Sequence, residues 1–192
     1  MQNLILASTS PFRKSILEKL GLPFSTEAPD VDEQHLEGEF ATDLVTRLSE
    51  AKANAIAKNH PKALIIGSDQ VALLDDKILG KPGNHVNAVK QLENASGKAV
   101  TFYTGLCLIN SATHNTQTIC ETFKVYFRKL SHQQIENYLQ KEQPYNCAGS
   151  FKSEAYGIAL FDKLEGDDPN TLIGLPLIRL IQLLGNEGIN LP

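Results

Sequence analysis

The usual hardware of a zinc finger, a disulfide scaffold or a redox pair is missing from this sequence. It has three cysteines, Cys107, Cys120 and Cys147, an odd number without C-x-x-C spacing. They read as reduced core residues of a cytoplasmic protein. The five histidines (His35, His60, His85, His114 and His132) are scattered, with neither an H-E-x-x-H run nor an i, i+4 pair; no structural zinc site is expected. A basic excess is absent too: 18 Lys and Arg face 22 Asp and Glu, for a net charge of −4. A protein that grips long nucleic acid by its phosphates would carry such an excess. Long nucleic acid is therefore not an expected partner, whereas a small polyanion needs only a local cluster of cations. The first apolar run ends after five residues and follows no basic segment, so neither a signal peptide nor a membrane span is expected. Internal repeats, charge blocks and low-complexity linkers are lacking as well.

What remains is an ordinary globular composition, 42% hydrophobic and 21% charged over 192 residues. That length suits a single domain spanning 1–192, with room for two lobes around a central cleft. Strand and helix patterns alternate. Strands are expected at Asn3–Ala7, Phe24–Ala28, Leu64–Leu74 and Gly157–Leu164, and an antiparallel hairpin at Ala99–Asn110 and Thr116–Arg128. Helices are expected at Pro11–Leu20, Ala41–Asn59, His85–Ala95, Ser131–Lys141 and Pro176–Leu184, the last ended by Gly185. The fold class is α/β, with a mixed, partly antiparallel sheet flanked by helices.

Several local patterns suit a phosphate-bearing ligand. The first strand runs into Ser8-Thr9-Ser10-Pro11-Phe12-Arg13, where Ser10 can cap a helix that starts at Pro11. Hydroxyls and free N–H groups at a helix start can hold phosphate oxygens. At helical spacing from Ile16, Leu17 and Leu20, Arg13 points toward the strand ends. Taken alone, the segment is equally a capped helix with a surface arginine.

In the long helix, Val45, Leu48, Ala51, Ala55 and Ile56 form an apolar stripe, and Lys52 falls inside it. Such a lysine either snorkels past the edge or meets an anion in a cleft. The run Leu64-Ile-Ile-Gly-Ser-Asp69-Gln-Val71 puts a carboxylate in an apolar strand, which demands a cation, a metal or an open cleft. Gly67 allows another group to approach that backbone closely. A carboxylate so placed can bind a divalent ion or take a proton from water. The alternative is a buried aspartate that only ties down a loop.

Leu79-Gly-Lys-Pro82 is not a Walker A loop, since Asp75 and Pro82 stand where Gly and Ser or Thr belong. Lys81 can still meet a phosphate as a point charge. Among Asp30, Asp32 and Glu33, Glu33 could join Asp69 in an oxygen site for Mg²⁺ or Mn²⁺. The stretch Ala148–Gly157 reads as a binding loop, with Lys152 counted among the phosphate-binding cations.

In order along the chain, Leu6-Ala-Ser-x-Ser-Pro-x-Arg13, Val31-Asp-Glu33, Glu50-Ala-Lys52, Ser68-Asp69, Leu79-Gly-Lys-Pro82, Cys147-Ala-Gly149 and Gly174-Leu-Pro176 resemble the Maf family of nucleotide pyrophosphatases. The resemblance covers essentially the whole chain. It implies a cytoplasmic enzyme, often dimeric, with an elongated fold like that of the inosine-triphosphate pyrophosphatases. Such an enzyme cleaves a nucleoside triphosphate to monophosphate and pyrophosphate with a divalent metal. The family's proton-accepting aspartate maps onto Asp69, and its phosphate-binding cations onto Arg13, Lys52 and Lys81. Ser8 falls at the phosphate loop and Glu33 near the metal.

The pyrimidine-nucleotide branch has a second Arg where this chain has Phe12, and a Tyr-x-Ile-Gln-Gly-like run where it has Phe151-Lys-Ser-Glu-Ala-Tyr-Gly157. The version here is similar to the 7-methyl-GTP branch, whose substrate choice is tuned at the positions of Phe12, Gln70 and Glu154. The implied reaction is hydrolysis of 7-methyl-GTP to 7-methyl-GMP and pyrophosphate. An aromatic face, Phe12 or Tyr156, suits a cationic methylated base, and Glu154 could accept bonds from its N1–H and amine. Two alternatives stay open: a dTTP or UTP pyrophosphatase of the same family, and a nucleotide-binding regulator of cell division with little hydrolysis.

Overall fold

The computed structural model describes residues 2–192. Its strands are β1 (Asn3–Ala7), β2 (Phe24–Glu27), β3 (Ala63–Leu74), β4 (Lys77–Leu79), β5 (Ala99–Asn110), β6 (Asn115–Phe127) and β7 (Phe161–Glu165). Its helices are α1 (Pro11–Glu18), α2 (Ala41–Ala57), α3 (His85–Ala95), α4 (His132–Glu142), α5 (Pro169–Ile173) and α6 (Leu177–Asn186). The strands hydrogen-bond in the order β2-β1-β3-β5-β6-β7, with β4 paired to β3. β1 is parallel to β2 and β3, whereas β3/β4 and β6/β7 are antiparallel. The sheet is mixed, as expected, and helices flank it.

The chain forms two compact units. The first comprises the chain up to Gln70, Thr104–Glu121 and Asp168–Pro192. Here the strands bury both faces, which is why Leu64-Ile65-Ile66 reads as an unbroken apolar run. Leu4, Leu6, Leu64, Ile66, Leu106 and Leu108 meet Ile16 and Leu17 of α1 and Leu177, Leu180 and Leu184 of α6. The alternate residues, Ile5, Ala7, Ile65, Cys107 and Ile109, meet Ala53 and Ile56 of α2. This is the two-residue period of a strand read on its two sides.

The second unit comprises Val71–Tyr103 and Thr122–Asp167. Phe127, Phe151 and Phe161 pack edge to face in its interior, with centroids 5.0–5.5 Å apart. Phe102 joins Phe151 at 5.5 Å.

Five readings need correction. Residues 157–160 belong to a 3₁₀ turn, Tyr156–Leu160, and the strand is confined to Phe161–Glu165. Gly157 N donates to Lys152 O at 3.1 Å, and that reversal leaves no extended chain. α6 passes through Gly185 to Asn186; the glycine with positive φ, +82°, is Gly188. β4 was not expected. It forms because Asp75 and Asp76 both adopt positive φ, 48° and 63°, and close a two-residue hairpin. α5 was also missed, although Asp168 caps it, Pro169 starts it and Gly174 ends it in the left-handed region. Of the three free thiols only Cys107 is core; Cys120 and Cys147 are half-buried.

Candidate active site

In the first unit, the position of α2 explains the site. A Cβ on Gly67 of β3 would stand 2.1 Å from Ser49 O, and one on Gly105 of β5 would stand 2.1 Å from Val45 O. Two bare strand positions therefore let the helix backbone lie directly on the sheet. The close approach expected at Gly67 is met, and α2 is the group that makes it. The buried face of α2 is Leu44, Val45, Leu48, Ser49, Lys52, Ala53 and Ile56, with Ala51 and Ala55 at its margins rather than its centre.

Lys52 does not snorkel. The residue is 6% exposed, and its Nζ donates to Asp69 Oδ1 at 2.7 Å and Glu33 Oε1 at 2.8 Å. Asp69 is itself 7% exposed, so its negative charge is answered by a cation within the protein. Two carboxylate oxygens thus converge on one cationic point. Among the described residues no third His, Cys, Asp or Glu completes the pair into a larger cluster.

Arg13 faces the same charges. Its Nε donates to Gly174 O at 2.9 Å. Burial lowers the guanidinium's basicity, and the charges of Asp69 and Glu33 act against that. Ser68, beside Asp69, places its hydroxyl hydrogen between Gly105 O and Gly174 O, at 2.8 and 2.9 Å.

The start of α1 is more self-satisfied than expected. Ser10 N donates to Ser8 Oγ, Arg13 N to Ser10 Oγ and Lys14 N to Ser10 O, while Pro11 has no N–H. The hydroxyl hydrogens of Ser8 and Ser10 can still be offered to a phosphate. Phe12 is 41% exposed. Gln70 turns its amide nitrogen to Thr104 Oγ1, Thr171 O and Leu172 O, at 2.8, 2.7 and 3.3 Å.

A family model described as Maf, Maf-like protein, matches residues 3–187. The chain belongs to the Maf family. Proteins named 7-methyl-GTP pyrophosphatase from Colwellia psychrerythraea and Vibrio cholerae are each 59% identical to it, over 190 and 192 residues. Each alignment covers 99% of this chain, and 95% and 99% of the relative. Among solved structures, the one described as the Staphylococcus aureus Ham1 protein covers 67% of this chain and 73% of its own, at 14% identity and a TM-score of 0.46. A likeness that distant carries no argument.

Within this Maf chain, Lys81, Lys152, Glu154 and Tyr156 belong to the second unit. Lys81 and Glu154 are exposed. Lys152 Nζ donates to Glu142 Oε1 and Glu142 O at 3.0 and 3.2 Å, and Tyr156 N donates to Glu142 Oε2 at 3.3 Å. The Tyr156 ring is already engaged: Lys141 Nζ stands 3.7 Å above it and Tyr138 stacks on it at 6.1 Å.

The structure thus gathers Arg13, Glu33, Lys52 and Asp69 around one point. Sequence reasoning gave no role to Gly105, Glu39 and Arg47, and named Ser68 and Gly174 only as parts of motifs. A glycine in the middle of an apolar strand was the available signal for Gly105.

Proposed function

We propose that this Maf chain is a nucleoside-triphosphate pyrophosphatase that hydrolyses 7-methyl-GTP to 7-methyl-GMP and pyrophosphate. The observation that carries the reading is the buried Asp69 carboxylate held by Lys52, whose Nζ also takes Glu33, in a chain whose relatives are named for that activity. Asp69 Oδ1 is engaged by Lys52, and the second oxygen, Oδ2, takes the proton of the attacking water. The water oxygen bonds to the α-phosphorus, the bond from that phosphorus to the bridging oxygen breaks, and pyrophosphate leaves with the electron pair. Arg13 and Lys52 offset the charge that moves onto the leaving group. General-base action of this kind is worth roughly 10²–10⁴-fold in rate.

The donor set fits a divalent cation. Two carboxylates, Glu33 and Asp69, already converge on a cation, and Mg²⁺ or Mn²⁺ takes one or two carboxylates together with waters and substrate phosphates. Bound there, the ion would withdraw charge from the phosphate oxygens.

For the base, Phe12 is favoured over Tyr156 as the aromatic face. An ammonium already stands over Tyr156, and a cationic base would be repelled by it. The roles of Ser8, Ser10, Lys81 and Lys152 toward phosphate, and of Gln70 and Glu154 toward the base, rest on the family motif. The reading is of a cytoplasmic enzyme acting on a free nucleotide as a homodimer, with residues 1–192 as a single Maf-like domain. The three free thiols support that compartment. No described helix is long and apolar enough to cross a membrane.

The test is turnover of 7-methyl-GTP, GTP, UTP and dTTP side by side, with pyrophosphate detection, with and without Mg²⁺. Fastest turnover of 7-methyl-GTP, lost without metal, is expected. Preference for UTP or dTTP, or tight binding with negligible turnover, would overturn it. In the same panel Glu154→Gln should narrow the preference for 7-methyl-GTP over GTP.

A further inference from the structure

Between β2 and α2 lie thirteen residues, 28–40, without helix or strand. Loops of that length in a compact fold are usually functional or disordered. This one carries Glu33, whose side chain is 59% exposed and yet meets the buried Lys52. It reaches the core of the site through that ion pair, and further bonds hold the chain in place around it.

The holding group is Glu39. Its side chain is 8% exposed, and its two oxygens take Arg47 Nε at 2.6 Å and Arg47 Nη2 at 2.8 Å. Leu36 N adds a third bond to Glu39 Oε2 at 3.1 Å. Arg47 Nη2 also donates to Gln34 O at 3.0 Å, one residue beyond Glu33. Within the loop, Gln34 N donates to Asp32 Oδ1 at 2.9 Å, and the ring of His35 meets Glu39 O at 2.9 Å. Arg47 and Lys52 stand on the same helix, α2. The helix thus grips the loop at the Glu33 carboxylate and, just past it, at Gln34 O and the Glu39 carboxylate.

We infer that the Glu39–Arg47 pair is a positioning device that holds Glu33 beside Lys52 and Asp69, and so sets the affinity of the site for its divalent cation. The inference rests on the proposed reading that Glu33 and Asp69 share that cation. A solvent-exposed pair would contribute little. A forked, charge-assisted pair with a shielded carboxylate and two backbone partners restricts the loop in both distance and angle. Glu39 touches neither carboxylate of the site and acts only through the chain that bears Glu33. The hydrogen bond from Arg47 keeps the Glu39 carboxyl ionised, holding it down to about 2.

The experiment uses the full chain and the variants Glu39→Gln, Arg47→Lys, Glu33→Gln and the double variant Glu33→Gln/Glu39→Gln. Mn²⁺ alone is titrated by water-proton relaxation, without nucleotide, and kcat is then measured at saturating Mn²⁺. Glu39→Gln should weaken Mn²⁺ binding roughly 10-fold, the scale on which outer partners of metal ligands act, with kcat at saturation changed by less than about twofold. Arg47→Lys, which keeps the charge and loses the fork, should fall between wild type and Glu39→Gln. The double variant should bind Mn²⁺ as Glu33→Gln does, because the clamp has nothing left to position. Additive losses in the double variant, or unchanged Mn²⁺ affinity in Glu39→Gln, would overturn the inference and leave the metal reading intact. Wild-type Mn²⁺ affinity in Glu33→Gln would overturn the metal assignment and the inference with it.

Discussion

The Nζ of Lys52 and Oδ1 of Asp69 lie 2.7 Å apart where both residues are more than nine-tenths removed from solvent. Taking two charges out of water is costly, and apolar replacements of similar volume are often no less stable. A buried pair of this kind is thus better explained by what it does to a ligand than by what it adds to the fold.

The first prediction concerns Asp69. Asp69→Asn keeps the shape and removes the group that takes the proton, so kcat for 7-methyl-GTP should fall by roughly 10²–10⁴. Nucleotide affinity, read by calorimetry with the product analogue or at low turnover, should change far less. Near-normal turnover would remove Asp69 from its role.

Lys52 yields a prediction on stability. Lys52→Met leaves the Asp69 carboxylate buried without its cation, and should lower unfolding free energy by about 3 kcal/mol in urea titrations. Mg²⁺ should recover more stability in the variant than in the wild type, since it no longer competes with the ammonium for the two carboxylates. An equal effect of Mg²⁺ on both proteins would contradict a shared cation position.

Gly67→Ala tests how the site is built. The new methyl would meet Ser49 O at 2.1 Å and Ala53 N at 2.9 Å, both backbone atoms that cannot rotate away. α2 must lift from the sheet, at a cost of about 3 kcal/mol or more. Because Lys52 rides on that helix, kcat should fall with stability. A thermal midpoint and a turnover assay on one preparation are enough to check both.

The fourth prediction is a pH dependence. The Arg47 hydrogen bond, as the largest cause, depresses the Glu39 carboxyl from 4.5 to about 2. A carboxyl whose pKa falls on folding contributes stability that is complete above its unfolded value and is lost as pH drops from 4.5 toward 2. Glu39→Gln should therefore have a lower thermal midpoint than wild type at about pH 6, with the gap closing in acid. A gap that stayed constant down to about pH 2 would show that Glu39 stabilises by packing alone.

Much of this arrangement could be read from residue order, and the rest could not for definite physical reasons. Lys52 breaks the period of an apolar stripe and Asp69 breaks an apolar strand, and each anomaly pointed to the other. Both limits of β1 and of α3 coincide with expectation because caps or strand ends mark them locally. Arg47 stands outside the buried face of its helix, and no local pattern says that a loop returns to meet it. β4 is three residues long, too short for a strand pattern to stand out after the two aspartates that turn the chain in the left-handed region. Gly185 and Gly188 are indistinguishable as helix stops until Ile189 N is found on Leu184 O at 3.0 Å, closing the turn around Gly188. The division into two units is hidden because β3, β5 and β6 each run from one unit into the other without a break.

The carbonyl of Gly174 receives Ser68 Oγ and Arg13 Nε, each at 2.9 Å, which occupies both of its lone pairs. That bond orients the guanidinium in the unliganded chain, and in the proposed reading its remaining N–H groups fork a phosphate. Little rotational freedom is then left to lose on binding, and that saving appears directly as affinity.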